Sequence, residues 1–132
     1  KVEDYYHYLT LFSAESTSES LKNEIKSSIF NLFENENSPV VDYTVEGKPT
    51  ISLKELLTKI ENKNYLFSVS NFENSIVAKD FWTTQYQLTV SQNEKTAQLL
   101  LFQKVSFKPI IKTFGSAKKE VWTLFLGEVT LP

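Results

Sequence analysis

Residues 82–90, WTTQYQLTV, decide the fold of this chain because their large side chains recur at every second position. Trp82, Tyr86 and Leu88 fall on one face of an extended strand, whereas threonine and glutamine fill the other face. A strand that alternates in this way has one buried and one solvated face, as strands of antiparallel sheets commonly do. The stretch therefore predicts a strand of an antiparallel sheet with its aromatic face towards a core.

The alternating pattern begins at residue 65, where Tyr65, Phe67 and Val69 share one strand face. Residues 71–79 then predict a turn followed by a short strand around Ile76 and Val77.

The last third of the chain predicts two further strands. Residues 92–95 read as a hairpin loop, and residues 96–108 as a long strand that is apolar on both faces between Leu99 and Phe102. An apolar run of this kind predicts a central strand that is covered on both sides. Phe114-Gly115-Ser116 predicts another loop. The final strand is expected from Val121 to Leu131, with one face formed by Val121, Phe125, Val129 and Leu131, and the other by Trp122, Leu124 and Leu126.

Helical spacing dominates the first half of the chain. Residues 2–12 and residues 19–34 each place apolar side chains on one stripe, with Leu21, Ile25, Ile29, Leu32 and Phe33 forming the second. Residues 53–62 give the clearest helical signal, with Leu53, Leu56, Leu57 and Ile60 at i, i+3, i+4 and i+7. Ser16 with Glu19, and Ser52 with Glu55, have the spacing of capping boxes.

A strand over residues 40–45 and a turn over residues 46–49 separate the helices. Helices first and a β-meander afterwards predict an α+β fold in which N-terminal helices pack on a curved antiparallel sheet. No repeat or linker divides the chain, so we expect one domain over residues 1–132.

Composition limits the possible partners. The net charge is −2 and the lysines are scattered, so the sequence lacks the basic face typical of nucleic-acid binding. The absence of Cys excludes disulfides and thiolate metal sites, and no stretch is apolar enough for a membrane span. We predict no cofactor, no metal site, no nucleic-acid partner and no membrane span.

The chain begins at Lys1 and contains no Met, which predicts a mature or excised segment of a longer product. Removal of a leader would fit a periplasmic or exported protein, although composition itself assigns no compartment.

The order of elements resembles the nuclear transport factor 2-like (cystatin-like) superfamily, whose members form an α+β cone. The first half also resembles small accessory domains of Bacteroidetes-type exported or caspase-like multidomain proteins. This second resemblance is carried by Val2, Asp4, Tyr5, Leu21, Lys22, Ile29, Leu32, Phe33, Pro39, Val40 and Leu56. It brings no catalytic motif and implies an accessory role, whereas the resemblance to the cone-shaped superfamily implies a homodimer formed through the sheet.

A binding pocket is the first functional hypothesis. Aromatic side chains with a polar end suit small-ligand sites, and they suit an ordinary core equally well. The candidate pocket residues are Tyr43, Trp82, Tyr86, Phe102, Trp122 and Phe125. We therefore predict a non-catalytic binding or interaction module whose partner is another protein or a small apolar ligand.

The alternative is a small isomerase- or dehydratase-type enzyme with a cavity lined by Tyr43, Trp82, Tyr86 and Trp122. It needs a carboxylate or histidine directed into that cavity. Asp42 adjoins Tyr43, but neighbouring strand residues point to opposite faces, so an inward Tyr43 would place Asp42 in solvent. His7 is best explained as a partly exposed helix residue, and residues 34–37 as a solvated loop rather than a calcium site.

Overall fold

The computed structural model describes residues 1–76 and 80–131 and confirms an α+β fold with N-terminal helices packed on an antiparallel sheet. Its elements are α1 (Val2–Ser13), α2 (Glu19–Leu32), β1 (Pro39–Val41), β2 (Thr50–Ser52), α3 (Leu53–Ile60), β3 (Leu66–Ile76), β4 (Phe81–Gln92), β5 (Lys95–Phe114) and β6 (Ala117–Thr130). The predicted strand at Val77 lies partly outside the described residues.

Serine side chains begin the second and third helices. Ser52 caps α3 as predicted, because its hydroxyl accepts the Glu55 backbone N–H at 3.1 Å. In α2 the cap is Ser18, which accepts from Leu21 N at 3.3 Å. The predicted Ser16 capping box is therefore wrong by two residues, since the polar tract offers several serines.

The buried stripe of α2 differs from the predicted one at its first turn. Leu21 is 46% exposed, whereas Lys22 is only 5% exposed and donates to the side chain of Asn62. A lysine stem packs on apolar surface while its ammonium group finds a polar partner. Ile25, Ile29 and Leu32 are buried as the spacing predicts.

Strands β3, β4, β5 and β6 form one antiparallel meander in that order, and β1 pairs with β2 in a separate small sheet. The hairpin at residues 92–95 is confirmed as a two-residue turn in which Asn93 adopts φ +56°. Gly115 turns β5 into β6 at φ +65°, a conformation that glycine adopts without strain.

Four strand boundaries differ from the prediction. In the last hairpin, β5 runs to Phe114 instead of residue 108, and β6 starts at Ala117 instead of Val121. β1 ends at Val41 instead of residue 45, because the following segment turns back to start β2. β3 continues as one strand to Ile76, with a register shift between Ser70 and Glu73 in place of the predicted turn. An irregularity of this kind bends a strand without ending it.

A second irregularity lies in β6. Gln103 pairs with Val129 and Val105 pairs with Leu126, so two β6 residues oppose one β5 residue. Val129 and Leu126 are both buried. The prediction that Val129 shares a face with Phe125 is therefore wrong, because the inserted residue reverses the alternation.

The core lies between the helices and one face of the sheet, here called the helix-covered face and marked by the buried Tyr86, Leu88 and Leu101. α1 packs on β3 and α2, and β1 lies against β6. Burying a leucine or isoleucine stabilises the fold by about 1.5–3 kcal/mol each. The helical contribution comes mainly from Tyr5, Leu9, Ile29, Leu53, Leu56, Leu57 and Ile60.

The β5–β6 hairpin extends beyond the helices. Its distal part, residues 107–124, is called the arm, and the rest of the four-stranded sheet is called the body. Every residue from 111 to 120 is exposed. The prediction that residues 99–102 are covered on both sides is also wrong: Leu101 is fully buried but Leu100 is 43% exposed, because helices pack on one face alone.

Candidate functional site

A groove opens between the first turn of α1 and the helix-covered face of the sheet. Its volume is about 470 Å³, which is within the range of small-ligand pockets. All four strands of the meander contribute to its walls. The lining side chains are Lys1, Val2, Glu3, Asp4, Phe72, Asn74, Trp82, Thr84, Val105, Leu124 and Leu126.

The apolar wall of the groove depends on the irregularity in β3. Phe72 lies within the register shift, and its ring centroid is 5.8 Å from that of Tyr86, on the helix-covered face. Trp82 and Val105 form a cross-strand pair beside it. In a regular β3 the side chain of Phe72 would point to the opposite face of the sheet. The irregularity therefore helps to build the wall.

Polar groups are few and sit at two places. In the groove, Thr84 donates to the Asn74 side-chain oxygen at 2.8 Å. The amide nitrogen of Asn74 has no side-chain partner among the described residues and can donate to a ligand. At the rim, Glu3 and Asp4 expose carboxylates in the first turn of α1, where the helix dipole favours negative charge. Lys1 also lines the groove, and its amino group lies 4.0 Å from the Asp4 carboxylate, so the rim carries both charges. The arrangement fits an apolar body with a small polar end.

Beneath the groove, buried tyrosines form a hydrogen-bonded chain. Tyr86 donates to the Gln103 side-chain oxygen at 3.0 Å, and the hydroxyls of Tyr6 and Tyr86 are 2.6 Å apart. Because Tyr86 has one proton to give, Tyr6 must donate to Tyr86. Burial raises the pKa of both phenols well above the usual value. Both phenols therefore stay protonated, and their hydrogen bonds have a structural role.

Tyr43 lies elsewhere in the core, with its ring centroid 5.5 Å from that of Phe67. Its hydroxyl is buried and has no hydrogen-bond partner among the described residues. Burial, followed by the nearby phenols of Tyr5 and Tyr6, raises its pKa well above the usual value. The hydroxyl is thus a neutral buried group whose contact with the Tyr5 phenol falls short of a well-formed hydrogen bond.

The carboxylate of Asp42 is fully buried, in contrast to the predicted position in solvent. β1 has already ended, so the opposite-face argument does not apply to Asp42 and Tyr43. Thr44 donates its backbone N–H to the Asp42 carboxylate at 2.9 Å, and Lys59 forms an ion pair with it. Burial raises the pKa of Asp42, but the hydrogen bonds from Lys59 and Thr44 outweigh burial and hold it below its usual value.

Among the six predicted pocket residues, Trp82 lines the groove. Tyr86 lies below it, and Tyr43 does not reach it. Phe102 and Phe125 lie on the opposite face of the sheet, as their cross-strand partners Gln85 and Ser106 show. Trp122 is 52% exposed on the arm, where its ring centroid is 5.3 Å from that of Phe107.

The four residues of the enzymatic alternative do not line one cavity in the part of the chain that the structure describes. His7 is exposed on α1. Glu34 and Glu36 form ion pairs with Lys108 and Lys54. Within residues 1–76 and 80–131, no three metal-binding side chains cluster, and no helix has the length and apolarity that crossing a membrane requires.

Sequence reasoning missed Phe72, Val105 and Leu124 as groove residues. For Leu124 the sequence offers one signal, because the alternation in the last strand puts it on the same face as Trp122, a predicted pocket residue. Comparison with protein-family models finds no match to this sequence, and no curated protein matches it. The fold and the groove are therefore the grounds on which a function is proposed.

Proposed function

We propose that this chain is a non-catalytic binding domain of nuclear transport factor 2-like architecture, which takes a small apolar ligand in the groove beside Trp82. The observation that carries the proposal is an open volume of about 470 Å³ with a largely apolar wall. Such a concave surface, with a few placed polar groups, is typical of ligand sites. The side chain of Asn74 and the rim carboxylates would orient the polar end of the ligand.

The test uses N-phenyl-1-naphthylamine, a neutral apolar dye that fluoresces when it leaves water. Trp82→Ala removes an aromatic wall of the groove and should weaken dye binding by about tenfold or more, since burying such a side chain is worth about 1.5–3 kcal/mol. Trp122→Ala is the matched control, because Trp122 does not line the groove. It should change the affinity by less than about twofold.

A second variant protects the test against misfolding. Leu124→Glu places a carboxylate in the groove, whereas Leu100→Glu places one on the opposite face, where Leu100 is already 43% exposed. The dye should bind the Leu100 variant normally and the Leu124 variant weakly. Equal binding by all four variants, each folded by circular dichroism, would refute the proposed site.

A homodimer through the sheet is a separate proposal, supported by apolar side chains on the opposite face. Leu100 is 43% exposed, and Phe102 and Phe125 are partly exposed on the same face. A dimer would remove this apolar surface from water. Light scattering should then give twice the monomer mass and Leu100→Glu should lower it, while a strict monomer at high concentration would exclude the dimer.

A further inference from the structure

The arm carries three features that folding alone does not require. They are an open backbone edge, an apolar strip and a group of lysines, of which Lys108 pairs with Glu34. Across the arm, residues 107–124, four lysines and one glutamate give a net charge of +3, so the rest of the chain carries −5 and the whole chain −2. The charge of the molecule is therefore polarised towards the arm.

The open edge follows from the hydrogen-bond pattern. Phe107 donates its backbone N–H to Asp80 at 2.7 Å, on the β4 side of β5. Backbone groups alternate in direction along antiparallel strands, so Phe107, Pro109, Ile111 and Thr113 all direct their backbone groups away from β6. Their partners on β6 must then direct their own N–H and C=O groups outwards, away from β5. These residues are Leu124, Trp122, Glu120 and Lys118.

The two edges of the arm are not equivalent. β6 is the last strand of the meander, and its outer edge is bridged at Leu126 by Phe33, at the body. From Lys118 to Leu124 no described strand pairs with it. The edge of β5 contains Pro109, which has no N–H and so hinders strand addition. The edge of β6 has no such block.

The side chains on the two faces of the arm differ in character. The helix-covered face continues as the strip Phe107, Ile111 and Trp122, with Ile111 74% exposed. Nearer the turn the same face carries Lys118 and Glu120, whose opposite charges offset each other. On the opposite face, Lys112 lies directly across from Lys119. Like charges in this position destabilise a strand pair, and within the described residues neither lysine has a carboxylate within ion-pair distance.

We propose that the outer edge of β6, from Lys118 to Leu124, binds an extended acidic segment of a partner protein by strand addition. In such a strand, alternate side chains point to opposite faces. Apolar side chains on one face would pack beside Trp122, and carboxylates on the other would compensate Lys119 and Lys112. The partner segment is therefore one in which apolar and acidic residues alternate.

Two other occupants fit the arm less well. An anionic membrane would contact one face of the ribbon, but the aromatic strip and the paired lysines lie on opposite faces. A second copy of the chain, added along the same β6 edge, would bring further lysines beside Lys118 and Lys119. The acidic strand satisfies the backbone groups, the apolar strip and the lysines together.

The probe is a synthetic peptide of about eight residues in which valine and glutamate alternate. A peptide of the same composition with all valines before all glutamates is the order control, and a valine–lysine alternation is the charge control. Calorimetric titration should detect binding of the first peptide and weakening by salt, and little binding of either control. Binding of all three peptides alike would overturn the proposal.

Proline substitutions at one cross-strand pair locate the edge. Glu120→Pro removes an outward N–H from β6, and Ile111→Pro removes one from β5, directly across from it. Loss of the hydrogen bond and the proline clash should weaken peptide binding by about tenfold in the Glu120 variant. The Ile111 variant should retain its affinity within about threefold.

Three results would refute the proposal. The first is equal loss of binding in both proline variants, with the folds intact by circular dichroism. The second is no peptide binding up to about 1 mM. The third is binding of phosphatidylserine vesicles by the parent chain without peptide binding. Lys112→Glu combined with Lys119→Glu should abolish the salt-sensitive part of peptide binding while leaving the hairpin folded.

Discussion

The body and the arm contain parts of the same strand, β5, yet they differ in what covers them. Leu101 is fully buried beneath the helices, whereas Ile111 is 74% exposed further along the strand. Both pair with neighbouring strands in the antiparallel ladder. The comparison shows that strand pairing determines where residues lie, while the helix layer determines which of them contribute stability and which stay available for contact.

The largest expected effect separates the two regions by stability. Leu101→Ala should lower the free energy of unfolding by about 2–5 kcal/mol, because it leaves a cavity in a fully buried site. Ile111→Ala, at an exposed site on the same strand, should change it by less than about 0.5 kcal/mol. Urea denaturation followed by circular dichroism measures both. Similar losses would mean that the arm is covered in solution.

The ion pair between Asp42 and Lys59 should make the stability of the body depend on pH. The pKa of Asp42 is lower in the folded chain than when unfolded. Its stabilisation is therefore complete above the unfolded value of about 3.9 and is lost as pH falls through the folded value. Asp42→Asn should cost about 1.5–3 kcal/mol at neutral pH and flatten the acid dependence of unfolding.

Glu46→Gln is the matched control for this pH experiment, since Glu46 is an exposed residue of the same turn. Its acid unfolding curve should follow that of the parent. A parent chain whose stability does not change between pH 6 and the acid limit near about pH 2 would contradict the role given to Asp42.

Two buried tyrosine hydroxyls of the body should affect stability differently when they are removed. Tyr86→Phe should lower stability by about 1–3 kcal/mol, because Tyr6 loses its acceptor and Gln103 its donor. Tyr43→Phe removes a buried hydroxyl that has no partner among the described residues. It should be neutral or raise stability by up to about 1 kcal/mol. Thermal unfolding of both variants tests the contrast, and equal destabilisation would contradict it.

The smallest effect concerns the arm. Lys119→Glu replaces the like-charged pair with Lys112 by an opposite-charged pair, and should raise stability by about 0.2–1 kcal/mol. The gain should shrink in about 1 M salt, where exposed charges are screened. Lys95→Glu near the β4–β5 turn provides a control substitution at another exposed strand position. A salt-independent change would point to a cause other than charge.

The sequence predicted the helices, the meander and the buried face of β4, because these follow from local periodicity. It could not predict the irregularities near Phe72 and Val129, since no residue type or spacing marks which residue of a strand is the extra one. The groove was partly anticipated through Trp82. Its other walls depend on how four strands and α1 meet, and open volume has no local signature. The burial of Asp42 was missed because β1 ends one residue before it.

Amide hydrogen exchange along β5 tests the central claim most directly, because both regions lie on one strand. The account predicts that hydrogen-bonded amides near Leu101 exchange only through global unfolding, whereas those near Ile110 in the arm exchange at least about a hundredfold faster. Uniform protection from Leu101 to Lys112 would contradict the division into a helix-covered body and an uncovered arm.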